Sequence, residues 1–289
     1  MEQAPALPEH YIRGDSDTTI FMLHGAYGDG RYFENTASVL AAAGYRVVVW
    51  TCPGYGQETP VENFSIEYAA AAARTLIEAK ATATNILLGH SMGCLIAPEA
   101  ARLSGTRIDG IILSCASVGF QNRAPEDQKR FLAERIAPIT EQGLTVAEYA
   151  PALLTKMMAP GAHGGLVDKV RNVISEMKTE TFMASMKAIT SYVSEAAIAA
   201  ITVPTLLVSG EFDTACPPAG MEKLHAIIPG SEYLMVEGSG HYPFAECADT
   251  FHEYILEFLN RRFANEAAVS GDARLRAEDT VNSQAGESS

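Results

Sequence analysis

The sequence predicts an α/β fold: a mostly parallel, doubly wound sheet with a helical segment inserted late in it. Three observations point there. Short apolar runs rich in β-branched residues alternate with longer alanine-rich stretches of helical period through the first 120 residues. That alternation stops over 121–199, where no strand pattern occurs, and resumes over 200–263. The apolar runs are continuous, as expected of strands covered by helices on both faces.

The elements follow in order. Strands are expected over 18–23, 45–50, 85–88 and 110–114, with helices over 31–43, 65–81 and 92–103 between them. Ser65 offers an N-cap oxygen to the second helix. Pro98 lacks an N–H, so the third helix should kink or lose a backbone hydrogen bond there. After the insertion come strand 204–208, helix 220–228, strand 233–236 and helix 249–263. The expected organisation is a core of 14–120 and 200–263, a helical cap of 121–199, and a tail of 264–289. The tail is small, polar and without apolar period, which predicts disorder. Half of the ten methionines (Met157, Met158, Met177, Met183 and Met186) fall in the cap. They suit an adaptable apolar roof over a site, although helix packing accounts for any single one.

Composition narrows the partners. The 289 residues carry a net charge of −14, which argues against a nucleic-acid partner. The basic residues near 123–130 and at 261–262 are diluted by acidic neighbours and read as solvated surface. The five cysteines (Cys52, Cys94, Cys115, Cys216 and Cys247) include no CxxC, so neither a disulfide framework nor a metal site is expected. Cys94, Cys115 and Cys247 read as small core residues. The start, "MEQAPALPEH", has neither a basic region nor an apolar stretch of the signal-peptide kind. No window reaches the roughly 18 apolar residues of a membrane helix, so no membrane partner is expected. The expected setting is cytoplasmic, and no oligomeric state is indicated.

The chemistry centres on "NILLGHSMGCLIAPEA", residues 85–100. A strand must turn into a helix within Gly89-His90-Ser91-Met92-Gly93. Such a turn strains its central residue and is tolerated when the flanking positions lack Cβ atoms. Ser91 is then presented at the carboxyl edge of the sheet, with helical N–H groups behind it. G-x-S-x-G alone is a weak pattern, so partners must be found. A serine nucleophile needs a base, an acid to orient that base, and donors for the developing oxyanion.

Among seven histidines, His241 lies in the glycine-rich loop "VEGSGHYPF", directly after a strand and at the same sheet edge. His90 adjoins the serine and reads as structural or pocket-lining. His10, His163 and His225 offer no such placement, and His252 in the last helix reads as surface. For the acid, "SGEFDTACPP" follows strand 204–208 and offers Asp213, with Glu211 as runner-up. The loop "SCASVGF" after 110–114 contains no acid. The oxyanion donors expected are the N–H of Met92 and the N–H of Ala26 in "LHGAYGDG". His24-Gly25 could also be an ordinary turn.

"HGAYG", "PGYG" at 53–56, "GHSMG", "GEFD" and "GSGHYPF", in that order, make the chain resemble the α/β-hydrolase superfamily over 14–263. Within it the chain is similar to a single-cap bacterial group of enol-lactonases, cofactor-free haloperoxidases and carbon–carbon bond hydrolases. Two positions depart from the pattern. Thr51 stands where an aspartate is common, and Glu58 where a serine often follows, which bears on local loop contacts.

The resemblance implies a Ser91–His241–Asp213 triad cleaving a small-molecule carboxylic ester or lactone through an acyl-enzyme, without cofactor or metal. A carbon–carbon bond hydrolase of a ketone or diketone, and a ligand receptor without turnover, are the alternatives. Should the substrate carry a carboxylate, Arg123, Arg130, Arg135 and Arg171 are its possible partners.

Overall fold

Thr18–Leu23 is buried along its whole length, and so are Gly110–Ser114 and Thr205–Gly210, because helices cover the sheet on both faces. The structure, a computed structural model, describes residues 5–117, 119 and 124–263. The expected disorder of the tail therefore falls outside the described residues. Along the chain the strands are β1 (His10–Arg13), β2 (Thr18–Leu23), β3 (Arg46–Trp50), β4 (Thr84–His90), β5 (Gly110–Ser114), β6 (Thr205–Gly210) and β7 (Glu232–Val236). They lie in the order β1-β3-β2-β4-β5-β6-β7. All neighbours are parallel except β1, which pairs antiparallel with β3. From β2 the chain steps outward to β3 on one side and then to β4 on the other. This reversal opens a crevice at the carboxyl ends of β2 and β4, where an open α/β sheet holds its ligand.

β1 was not expected. Its sequence "HYIR" is half exposed at the sheet edge and carries no apolar run. The helix expected from 31 begins instead as a short 3₁₀ turn, Gly30–Phe33, because the Asp29 side chain accepts the Arg31 N–H. It continues as α1 (Glu34–Ala42). Ser65 caps α2 (Ile66–Lys80) by accepting the Tyr68 N–H. The third helix, α3 (Gly93–Leu103), runs on through Pro98.

Between β5 and β6 the chain forms α4 (Pro125–Thr140), α5 (Val146–Met157), α6 (Gly165–Ser175), α7 (Thr179–Ser191) and α8 (Glu195–Ala199), with no strand among the described residues there. α9 (Pro218–Ile227) lies between β6 and β7, and α10 (Pro243–Glu246) and α11 (Ala248–Phe263) close the described chain.

Two expectations are corrected. His252 is not a surface residue: α11 packs onto α1, which buries the imidazole and places its Nε2 3.0 Å from Thr36 Oγ1. Cys247 is not in the core: it sits partly exposed at the break between α10 and α11. Cys94 and Cys115 are buried. No helix among the described residues is long and apolar enough to cross a membrane.

Candidate active site

β4 runs on to His90 and α3 starts at Gly93, so Ser91 stands in the turn itself. Its φ is 53°, in the left-handed region that a residue with a Cβ rarely occupies. The flanking glycines make this turn possible. A Cβ on Gly89 would lie 2.4 Å from the Gly93 carbonyl oxygen, and one on Gly93 would lie 2.1 Å from that of Leu23. The Ser91 N–H donates to Ser114 O at 2.9 Å, which fastens the strained residue to the end of β5.

Ser91 Oγ lies 3.0 Å from His241 Nε2, and His241 Nδ1 lies 2.8 Å from Asp213 Oδ2. His241 and Asp213 are buried. Asp213 Oδ1 accepts the N–H groups of Ala215 and Cys216 at 2.8 and 2.9 Å, so the carboxylate is held at both oxygens. Glu211, the other acid in that loop, is exposed and accepts the Gly238 N–H instead. With Asp213 ionised, Nδ1 carries the imidazole proton and Nε2 is free to accept from the serine hydroxyl.

The loop after β2 comes close to the serine: a Cβ on Gly25 would lie 2.9 Å from that of Ser91. Ala26 and Met92 line one cavity with Ser91. Tyr55 supports both, its hydroxyl donating to Ala26 O at 3.3 Å and lying 3.7 Å from Met92 Sδ. The Tyr32 hydroxyl oxygen accepts the Gly25 N–H at 2.7 Å.

His24 is more than a turn residue. Its Nε2 accepts the Cys52 N–H at 2.9 Å, which leaves Nδ1 to donate to Gly25 O at 2.8 Å. Burial lowers its pKa and keeps the ring neutral, so this imidazole joins the loop after β2 to the loop after β3. His90 packs beside His241 with ring centroids 4.9 Å apart, and burial, followed by the neighbouring His241 imidazole, lowers its pKa well below the usual value. Glu58 takes up the local role its departure put in question, accepting the Gly54 N–H at 2.9 Å.

Sequence reasoning missed His24, Tyr32, Tyr55 and Glu246. Glu246 accepts the N–H groups of Gly240 and Tyr242, on either side of His241, at 3.0 and 2.8 Å. Only its spacing of five residues from His241 hinted at this, and glutamate in a loop is ordinarily a solvent residue.

The cavity, open in part to solvent, has walls drawn from the core loops and from α4 and α7. Of the five methionines in the insertion between β5 and β6, Met186 alone lines it, while Met157 and Met158 are buried in packing. Among the described residues, Cys115, Asp213 and His241 are the one group whose donor atoms lie close enough together to hold a metal ion. Two of them are already hydrogen-bonded to each other at 2.8 Å, and that proton explains their spacing.

A parallel sheet with a strained serine between strand and helix, followed along the chain by its acid and then its histidine, defines the class. The chain belongs to the alpha/beta hydrolase family, whose profile it matches over residues 20–253. It is 26% identical over 259 residues to 2-hydroxy-6-oxononadienedioate/2-hydroxy-6-oxononatrienedioate hydrolase 2 of Pseudomonas putida. That alignment covers 85% of this chain and 89% of the relative. An esterase from Exiguobacterium antarcticum shares the fold with a TM-score of 0.76 at 24% identity, over 88% of this chain and 96% of the esterase. The enol-lactonase from Burkholderia xenovorans does so with a TM-score of 0.73 at 22% identity, over 87% and 96%.

Proposed function

We propose that the chain is a serine hydrolase that cleaves a carboxylic ester or lactone of a small to medium organic molecule through an acyl-enzyme. One observation carries this reading: an unbroken hydrogen-bonded chain from Asp213 through His241 to Ser91, whose serine end opens into the cavity. His241 Nε2 takes the hydroxyl proton as Ser91 Oγ adds to the substrate carbonyl carbon. The carbonyl π electrons move onto oxygen, where the N–H groups of Ala26 and Met92 stabilise the charge. Each donor is worth about 3 kcal/mol in sites of this kind. Asp213 balances the imidazolium. The tetrahedral species then collapses, and the departing alkoxide takes the proton from His241; in a lactone it stays tethered to the acyl group. Water, deprotonated by His241, releases the acid and restores Ser91. In this proposal α4 to α8 form the cap that shelters the reacting groups from bulk water.

Ser91→Ala tests the reading. The variant should lose turnover of an activated short-chain ester and all labelling by a serine-reactive phosphonate, and undiminished turnover would sink it.

The Pseudomonas putida relative favours a second reading, in which the same triad cleaves a carbon–carbon bond beside a ketone. Comparing kcat/KM for a vinylogous diketone and a matched ester separates the two. A preference of more than about tenfold for the diketone would replace the first reading with the second.

A further inference from the structure

One cation stands in the wall of the cavity above Ser91. Arg135 on α4 lines the cavity together with Ser91, and no acidic side chain is found among the described lining residues. The other arginines of the cap that the structure describes are committed elsewhere. Arg130 pairs with Asp127 at 2.6 Å, and Arg171 pairs with Asp168 at 3.1 Å. Arg123 lies outside the described residues. Among the described residues no carboxylate pairs with Arg135. Its guanidinium carbon instead lies 5.2 Å from the centre of the Phe131 ring, one helical turn away on the same face of α4. A cation–ring contact of this kind uses no hydrogen-bond acceptor, so the guanidinium still has N–H donors to offer another partner. Its charge reaches the Tyr27 hydroxyl across the cavity, where it opposes the burial that raises that group's pKa to about 12.

The remaining walls are mostly apolar, among them Leu95, Met186 and Ile189. Such a chamber offers an acyl chain a greasy path and, at one point, a guanidinium with no carboxylate partner among the described residues. Arg135 is half-buried, so a neutral substrate filling the cavity would take away part of the guanidinium's solvation without supplying a counter-ion. A carboxylate would supply one through paired, charge-assisted hydrogen bonds.

Resting on the serine-hydrolase reading, we infer that Arg135 is an anion subsite that selects acyl compounds bearing a carboxylate at the end remote from the scissile bond. The substrate class is then the half-ester of a short dicarboxylic acid, or a carboxylated lactone. The net charge of −14 repels such anions in general, so a local cation is what would admit them.

The test is the ratio of kcat/KM for mono-p-nitrophenyl glutarate over p-nitrophenyl butyrate. The unaltered protein should favour the half-ester by about tenfold or more. Arg135→Ala should cut the ratio by a similar factor, and Arg135→Lys should restore part of it. A ratio near one in the unaltered protein, or one that survives Arg135→Ala, overturns the subsite. Calorimetry with monomethyl glutarate on Ser91→Ala reads the subsite without turnover. Adding Arg135→Ala should weaken binding by about tenfold, and absent or equal binding overturns it. Ser91-dependent hydrolysis of both esters without preference removes the subsite and leaves the hydrolase. Arg135-dependent binding without hydrolysis of either ester removes the hydrolase and leaves the subsite.

Discussion

The Ala159 N–H donates to Glu246 Oε2 at 2.6 Å, and this bond ties the helical insertion to the loop that carries His241. The same oxygen accepts the Gly240 N–H, and Glu246 Oε1 accepts the Tyr242 N–H. Two more bonds run from the insertion to the core. The His241 N–H donates to Met157 O at 2.9 Å, and Thr214 Oγ1, next to Asp213, donates to Lys156 O at 2.6 Å. Residues 156–159, at the end of α5, therefore brace both the loop that carries His241 and the loop that carries Asp213.

On the proposed mechanism, Glu246 is accordingly a positioning residue for His241. Glu246→Ala strands three backbone N–H groups and should lower kcat by about tenfold or more while moving KM little, with a stability loss of about 1–3 kcal/mol. Glu246→Gln keeps one carbonyl acceptor and should recover part of kcat. The split between kcat and KM across the two variants checks this. A fall in Tm with unchanged kcat would assign Glu246 to the scaffold alone.

Gly93→Ala should damage the fold before it damages the chemistry. The added methyl carbon would lie 2.1 Å from the Leu23 carbonyl oxygen, and backbone on both sides must give way. Overpacking of this kind costs at least about 2 kcal/mol, so the urea midpoint should fall sharply.

Tyr32→Phe removes the acceptor of the Gly25 N–H inside a buried loop. The orphaned donor should cost about 1–3 kcal/mol. Because Ala26 follows directly, kcat for an ester should fall further than the binding of a substrate acid. Equal loss in both would place the effect outside the proposed oxyanion donor at Ala26.

The strand–turn–helix around Ser91, and the loops that carry Asp213 and His241, were legible because local chemistry dictates them. Continuous apolar runs set β4, β6 and β7, and glycines mark the turns that follow. The choice of Asp213 over Glu211 was legible as a matter of reach, and backbone donors at Ala215 and Cys216 now account for it. What stayed illegible depends on distant pairing. β1 exists only because β3 offers it an edge, and "HYIR" has no periodicity of its own. His252 is buried only because α11 docks on α1. His24 reads as a turn residue until β3 brings the Cys52 N–H to its ring, 28 positions along the chain. Arg135 could not be told from Arg130 or Arg171 by sequence, since which face of α4 meets the cavity is a property of packing.

The buried imidazoles give the protein a defined acid weakness. His24, His90 and His252 all have pKa values lowered by burial, His90 the most strongly. Between each folded-state pKa and the ordinary value near 6.5, the unfolded chain binds more protons than the folded one, so stability rises with pH across that window. The contribution is fully present above about pH 6.5 and is lost progressively as pH falls towards the folded-state values. Asp29, Glu99 and Glu232 have lowered pKa values as well, but their contributions are lost only as pH falls below about 4.5. Urea midpoints should therefore hold steady from about pH 8 to pH 7 and decline from about pH 6.5 to pH 5. His24→Gln should flatten part of that decline, because protonating His24 Nε2 is what breaks the bond from the Cys52 N–H. A midpoint unchanged between pH 7 and pH 5, or an undiminished decline in His24→Gln, would show that these imidazoles do not set the acid limit.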